Sequence, residues 1–306
     1  MAELPAITKI VTHPGSAHKD EFLAICLAIH KIGCTNVERR VVTDADLNDP
    51  SVMVIDQGKQ YNPALNNFDH HHDRNLQSSY PLVAKHFGLD ELLKLSDKSY
   101  NTVDVEDREG PMKVASGFGL TIDQYNALSD PIGTAMLSVF AGCKEVPQEI
   151  VNVMGKIGEN IVARVEKYAA EYKRLETQIA IKEVDGVKYF VDPEKTENPS
   201  REDFSRANGV AIIVTPNVRD GGWKFKRMDD HPRVDFRAAR THPDLMLEKS
   251  FIHEQSGFLA VTTNVNADIE GIINAGLKPA IAQGPTGGQL TNATDHTMTG
   301  QRAITG

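Results

Sequence analysis

Cysteine is scarce in this chain: Cys26, Cys34 and Cys143 are the only ones among 306 residues. No two stand at C-x-x-C spacing, so a zinc ribbon, a redox dithiol and a disulfide framework are excluded as organising devices, and a reducing compartment is expected. The three thiols fit the role of small buried hydrophobes. Long apolar runs are missing as well. None approaches the roughly 18 residues needed to span a bilayer, and the opening MAELPAITKI has no basic stretch followed by an apolar core. The expectation is a cytoplasmic protein with no membrane partner. There is no G-x-S-x-G elbow and no Walker A loop, which removes serine-hydrolase and P-loop chemistry. Nor is there an excess of positive charge. With 33 Lys and Arg against 42 Asp and Glu, the net charge is -9, which argues against broad duplex binding. A nucleic-acid substrate held by a local basic patch beside an acidic, cation-binding site remains compatible with it.

At 40% hydrophobic and 25% charged residues, the chain has an ordinary globular composition, and its length exceeds a single hydrophobic core. Strand-like signals over 7–12, 37–42 and 52–55 alternate with a helical one over 20–32, where Phe22, Ile25, Cys26 and Ile29 form an apolar stripe. That alternation predicts an α/β fold with a mainly parallel sheet flanked by helices. Over 147–181 apolar residues recur every three or four positions without a proline. They predict one long amphipathic helix, about 50 Å at roughly 1.5 Å per residue. Strand-like runs over 187–191, 210–214 and 258–262, and a helix near 267–277, suggest a smaller α+β domain. The expected organisation is a catalytic domain over 1–146, a connector helix over 147–183 offering a homodimer surface, a substrate-binding domain over 184–278 and a flexible tail over 279–306.

Three clusters carry chemistry. His13 and His18 lie with Asp20 and Glu21 in a loop that follows a strand and opens a helix. Such a loop lies at the carboxyl edge of an open α/β sheet, where ligands bind. Asp56 ends the apolar strand VMVI, so it is expected at the same edge. The run Asn67-Phe68-Asp69-His70-His71-His72-Asp73 concentrates imidazoles and carboxylates in one loop. Each cluster alone is compatible with solvated strand ends. Together they suit a transition metal, because imidazole with carboxylate favours Mn, Fe, Zn or Co over Ca or Mg alone.

These motifs resemble the DHH phosphoesterase superfamily. THPGSAHKDEFLA at 12–24, FDHHHDR at 68–74 and VDVEDREGP at 103–111 are similar to the Myg-type (UPF0160-like) exonuclease branch, with its THxGxFHxDEALA, FDHHQ and IDAIDNGI patterns. Gly222-Trp223 and FIHEQSGFLA at 251–260 resemble its GW and FVHASGF motifs. The chain departs from the pattern at Ala17, where an aromatic residue is usual, at His72-Asp73 in place of Gln, and at Arg108-Glu109 in place of Asn-Gly. The resemblance implies His13 and His18 on one metal ion, Asp20 and His70 on a second, Asp56 bridging, and Asp107, in preference to Asp104, completing the second site. It further implies that Asp69 orients a histidine and that His71 contacts a phosphoryl oxygen or protonates the leaving group. His253, Ser256 and Gly257 are implied as substrate contacts. The cofactor implied is a pair of divalent ions, Mn2+ first, with Mg2+, Co2+ and Zn2+ as alternatives. The activity implied is 3'-5' exonucleolytic hydrolysis of RNA or short oligonucleotides by a two-metal-activated water.

In the second half, Arg219, Lys224, Lys226, Arg227, Arg233, Arg237 and Arg240 interleave with Trp223 and Phe225. That pattern can hold a single strand, with Arg237 and Arg240 as phosphate contacts; it can equally be a solvated face around a core tryptophan. Three readings follow: a nuclease of single-stranded RNA or short oligonucleotides, a phosphatase or pyrophosphatase acting on a small molecule, and a non-catalytic metal-binding interaction protein.

Overall fold

The structure, a computed structural model, describes residues 6–128, 130–219, 221–241, 251–252, 255–262, 277–278 and 280–281. The chain divides into two compact units, Met1–Glu176 with Asn198–Asp203, and Thr177–Glu197 with Phe204–Gly306.

The first unit is built on β1 (Lys9–Thr12), β2 (Val37–Arg39), β3 (Val52–Ile55), β4 (Tyr61–Asn62) and β5 (Asn67–Phe68). They lie in the order β2-β1-β3-β5-β4, all parallel except the β4–β5 pair. Every residue of β3 is buried, as expected of a central parallel strand covered on both faces. Its side chains alternate between two cores: Met53 and Ile55 join Ile10 and Phe68, while Val52 and Val54 pack with Val11, Val42 and Leu47.

Helix α1 (Lys19–Ile32) lays Phe22, Ile25, Cys26 and Ile29 into the larger core, as its periodicity predicts. Asp20 and Glu21 occupy its first turn, where the helix dipole favours a carboxylate. Gly33, in the left-handed region at φ 71°, ends it by donating its N–H to the Ile29 carbonyl at 2.8 Å. After α2 (Asp44–Asn48) come six helices: α3 (Ser79–His86), α4 (Asp90–Ser96), α5 (Tyr100–Glu109), α6 (Pro111–Gly117), α7 (Ile122–Ala127) and α8 (Pro131–Ala141). The long helix α9 spans Gln148–Gln178. Its Val151, Met154, Ile161, Val162 and Val165 belong to the same core as α1. The helix therefore packs within the first unit as far as that stripe runs. Gly158 allows the approach, since a Cβ there would lie 2.0 Å from the Cys26 carbonyl oxygen.

The second unit contains β6 (Lys182–Val184), β7 (Val187–Val191), β8 (Ile212–Pro216), β9 (Trp223–Arg227), β10 (Phe251–Ile252) and β11 (Leu259–Thr262). They form a sheet in the order β10-β11-β9-β8-β7-β6. Only β7 and β8 pair in parallel among them. The connection between these two strands includes α10 (Ser200–Asn208). The helix expected over 267–277 and the tail expected over 279–306 lie outside the described residues, apart from 277, 280 and 281.

Among the described residues, no helix is long and apolar enough to cross a membrane.

Candidate metal centre

The register of the first sheet sets the site. Thr12 pairs with Ile55, and Ile55 with Phe68, so three adjacent parallel strands end level with one another. The residues that follow, His13, Asp56 and Asp69, therefore leave the same rim side by side, at the roughly 4.8 Å spacing of neighbouring strands. Asp56 turns into the left-handed region at φ 60°, which Asp tolerates better than most side chains. Its N–H donates to the Phe68 carbonyl at 3.0 Å.

Around Asp56 the imidazoles gather. His13 Nε2 lies 3.3 Å from Asp56 Oδ2, and His70 Nε2 lies 3.4 Å from Asp56 Oδ1 and 2.9 Å from Asp107 Oδ2. His18 Nδ1 is 3.4 Å from Asp107 Oδ1. Three groups of ligand atoms, each within 4.8 Å of one another, result: His13, His18 and Asp56; His18, Asp20 and Asp107; and Asp56, Asp69, His70 and His71. All six residues read as metal ligands from the sequence thus meet at one rim. His18 sits with Asp20 and Asp107 as well as with His13. His72, third in the histidine run, is exposed and belongs to none of the groups.

Asp104 and Asp107 have different tasks. Asp104 accepts the Ser78 N–H at 2.6 Å and two hydrogen bonds from Arg108 at 3.0 and 2.8 Å. Asp107 faces the cluster. Asp69 accepts from the backbone N–H groups of Lys59 and His71, and its Oδ1 is 2.7 Å from His71 Nδ1. It therefore fixes the ring of His71, half-exposed beside Asp56.

Several supporting residues escaped the sequence reading. Glu21, fully buried, accepts from Thr12 Oγ1 at 2.9 Å and from the His18 N–H at 3.2 Å, and its Oε2 lies 2.9 Å from His13 Nε2. Arg39, also buried, pairs with Glu21 at 3.1 Å, donates to the Gly15 carbonyl at 3.1 Å, and rests 4.3 Å over the Phe140 ring. Ser79, at the start of α3, brings its Oγ to 2.9 Å from Asp56 Oδ1 and donates its N–H to Asp20 at 3.2 Å. The period of β2 carries a signal for Arg39: Val37 and Arg39 share a buried face while Glu38 alternates outward.

The electrostatics are those of a carboxylate cluster holding protons on its histidines. The carboxylates of Asp56 and then Glu21 raise His13 to about 10. Burial pulls His70 down, but Asp107 and Asp56 outweigh it and lift it to about 10. His18 is raised by Asp107. Asp20, fully enclosed, is pushed well above the ordinary carboxylate range by burial and by the charges of Asp56 and Asp107. Burial opposes ionisation of Asp56 and Asp107, yet their histidine partners hold both below the ordinary value.

The residues fit cations on a separate observation. Asp20 Oδ1, Asp56 Oδ2, His70 Nε2 and Asp107 Oδ2 are buried without a hydrogen bond of proper geometry; the 2.9 Å approach of His70 Nε2 to Asp107 Oδ2 is a contact of charge alone. Buried polar atoms left in this way are costly unless something further binds them.

Cavities open on the cluster. One, of about 450 Å³, is lined by His13, His18, Asp56, Lys59, Asp69 and His71. A second, of about 520 Å³, is lined by His70, His71, Arg74, Asp107, Arg108 and Glu109.

Among the described residues, the substrate contacts expected in the second unit are not gathered in this way. Trp223 and Phe225 share one face of β9; Phe225 is fully buried against Phe236, with ring centroids 6.1 Å apart, and Trp223 packs on the same core. Phe225 is therefore unavailable to stack on a base, which corrects that part of the sequence reading: the strand alternates, and its aromatic face is the inner one. Arg237 is engaged by Asp235 at 2.9 and 3.0 Å, and Arg233 by the Asp185 carbonyl at 2.6 Å. Ser256 lies in a turn before buried Gly257, whose carbonyl accepts the Phe236 N–H at 3.0 Å. Arg240 lies within the 3-10 turn Phe236–Thr241, and His253 lies outside the described residues.

Residues 9–109 match the MYG1_exonuc family, described as Uncharacterised protein family (UPF0160). The match spans His13 to Asp107, the ligand residues whose motifs resemble that branch. Among solved structures, RecJ from Thermus thermophilus in complex with Mn2+ is similar at 13% identity and a TM-score of 0.26. RecJ from the same organism in complex with Mg2+ is similar at 14% identity and a TM-score of 0.28. Each alignment covers 90% of this chain and 51% or 49% of RecJ, so the chain spans about half the length of those proteins. No curated protein matches.

Proposed function

We propose that this chain, whose residues 9–109 match the MYG1_exonuc family, is a metal-dependent phosphoesterase acting at the rim of its first sheet. One observation carries the reading: His13, His18, Asp20, Asp56, His70 and Asp107, drawn from four stretches of sequence, bring their ligand atoms close to one another, and atoms of Asp20, Asp56, His70 and Asp107 are buried without a hydrogen-bond partner. The set suits a pair of divalent cations, with His13, His18 and Asp56 around one and Asp20, Asp56, His70 and Asp107 around the other. Its three imidazoles favour Mn2+ over a purely oxygen-seeking ion. Such a pair, when bound, makes water a nucleophile at neutral pH and stabilises charge on a phosphoryl group.

The remaining residues supply orientation and proton handling. With Nδ1 fixed by Asp69, the His71 ring presents Nε2 as the atom that can pass a proton to the leaving oxygen. Glu21 and Arg39 hold the loop that carries His13 and His18. Arg74, which lines the second cavity with His70, His71 and Asp107, offers a guanidinium group to a phosphate beside the reacting one.

We read the substrate as a phosphodiester chain, single-stranded RNA or a short oligonucleotide, supported by Arg74 beside the cluster; shortening from the 3' end is what the Myg-type resemblance implies. The test is a Mn2+-supplemented assay on 5'-labelled RNA and DNA oligomers, pyrophosphate and a chromogenic phosphodiester, with His70→Ala and His71→Ala as controls. A ladder of products lost in both variants is expected. Phosphate release from pyrophosphate alone would replace the nuclease reading with a phosphatase one, and Mn2+ binding without turnover would leave a metal-binding protein.

A further inference from the structure

A third cavity, of about 430 Å³, opens on the same cluster. It is lined by His18, Asp20 and Asp107 together with Ala17, Val103, Pro111 and Leu137. Lys19 and Glu106, joined at 3.2 Å, also line it. We propose that this cavity receives the nucleoside of the nucleotide being cleaved or released; the proposal rests on the phosphoesterase reading above and names the part of the substrate that the cation cluster does not touch.

The chemistry of the walls carries the assignment. The cavity beside Arg74 and Arg108 is lined wholly by polar and charged side chains, with Arg74 suited to a phosphate. The third has four apolar side chains beside candidate ligand residues, so its occupant has a flat or apolar body joined to a group drawn to cations. A nucleoside phosphate has that shape: the base covers the apolar wall, and the phosphoryl group reaches the ligands. Its volume falls within the roughly 300–1,000 Å³ of small-molecule sites. The Lys19–Glu106 pair adds a donor and an acceptor for a base edge. Inorganic phosphate and pyrophosphate have nothing to place against Val103, Pro111 and Leu137.

Position 17 controls the space. Its side chain is a single methyl group on the cavity wall, where the Myg-type pattern has an aromatic ring. A ring there would occupy the room assigned to the base, whereas alanine leaves it open.

The test uses the full chain in Mn2+ and measures calorimetric binding of AMP, GMP, CMP, UMP and inorganic phosphate. Wild type is expected to bind at least one nucleoside monophosphate about tenfold or more tighter than phosphate, equivalent to about 1.4 kcal/mol. Ala17→Phe is expected to erase that preference while leaving Mn2+ and phosphate binding within about twofold. Leu137→Ser, at a half-buried position on α8, is expected to weaken nucleotide binding selectively and serves if the phenylalanine variant does not fold. Equal affinity of wild type for phosphate and every nucleotide overturns the proposal, as does a nucleotide preference unchanged in folded variants. Failure of the enzyme reading looks different: no phosphoester is hydrolysed, whatever binds.

Discussion

His13 Nε2 stands 2.9 Å from Glu21 Oε2 inside the first unit, and Glu21 has no exposure to solvent. A candidate ligand is thus tethered to a buried carboxylate in the first turn of the following helix, which is itself paired with Arg39. Glu21→Gln keeps the size and removes the charge. Removing an outer partner of this kind characteristically costs about 10–100-fold in metal affinity. We expect a loss in that range for Mn2+ by calorimetry, with circular dichroism unchanged. Unchanged affinity would show that His13 does not need its partner.

The two aspartates of α5 separate structure from chemistry. Asp107→Asn is expected to abolish Mn2+ binding at one position and reduce hydrolysis to background. Asp104→Asn leaves the Ser78 N–H and Arg108 less well satisfied, and a cost of about 1–3 kcal/mol follows from weakening such buried bonds. Its expected signature is a lower Tm with Mn2+ stoichiometry retained.

Protons and cations compete for the same nitrogens. Without metal, His13 and His70 are raised to about 10, so at neutral pH both carry protons that Mn2+ must displace. Mn2+ titrations in buffers of different ionisation enthalpy should reveal proton release, and apparent affinity should fall as pH falls. The metal-free fold shows the linked effect. Histidines raised above their unfolded value contribute stability that is complete below about 6.5 and lost as pH rises through about 10. Urea unfolding in EDTA should therefore give a lower midpoint at pH 9 than at pH 7, if these two groups dominate the difference between the two midpoints.

The contact of α1 with α9 has no room for a methyl group. At Gly158 a Cβ would stand 2.0 Å from the Cys26 carbonyl oxygen and 2.9 Å from His30 Cβ. The carbonyl is backbone and cannot swing aside. Gly158→Ala is expected to lose about 1–3 kcal/mol to overpacking, outweighing the gain in helix propensity. A thermal melt checks the sign.

Much of this was legible in the sequence where one periodicity dominated. The residues 52–55 read as a buried strand, 20–32 as an amphipathic helix, and 147–181 as one long helix, because each pattern runs without interruption. The convergence of His13 and Asp56 followed from placing each after a strand of one parallel sheet, while the run with His70 was read only as a loop, since the strand before it, Asn67–Phe68, is two residues long. Helices α3 to α8 were not read. They are short, and α3 takes support from far away: Asp104 holds the Ser78 N–H before its first residue, and Asp20 holds the Ser79 N–H. Support of that kind depends on tertiary structure and leaves no local mark. Glu21 and Arg39 were passed over because charge in a helix turn or strand ordinarily faces water; here each occupies the interior to satisfy the other. The basic stretch after Arg219 misleads for the opposite reason. Grouping its aromatic residues with the cations around them ignores strand alternation, which sends Phe225 inward.

The ligand set is spread from His13 to Asp107, and that spacing matters before the fold is complete. In the unfolded chain these side chains belong to loops whose closure carries an entropic cost. Cations held by all of them would work as a clasp, keeping strand ends and α5 in register and adding binding energy to the native state alone. Chelation should therefore loosen the first unit as a whole, and protease cleavage in 1–110 should accelerate in EDTA well before the chain melts.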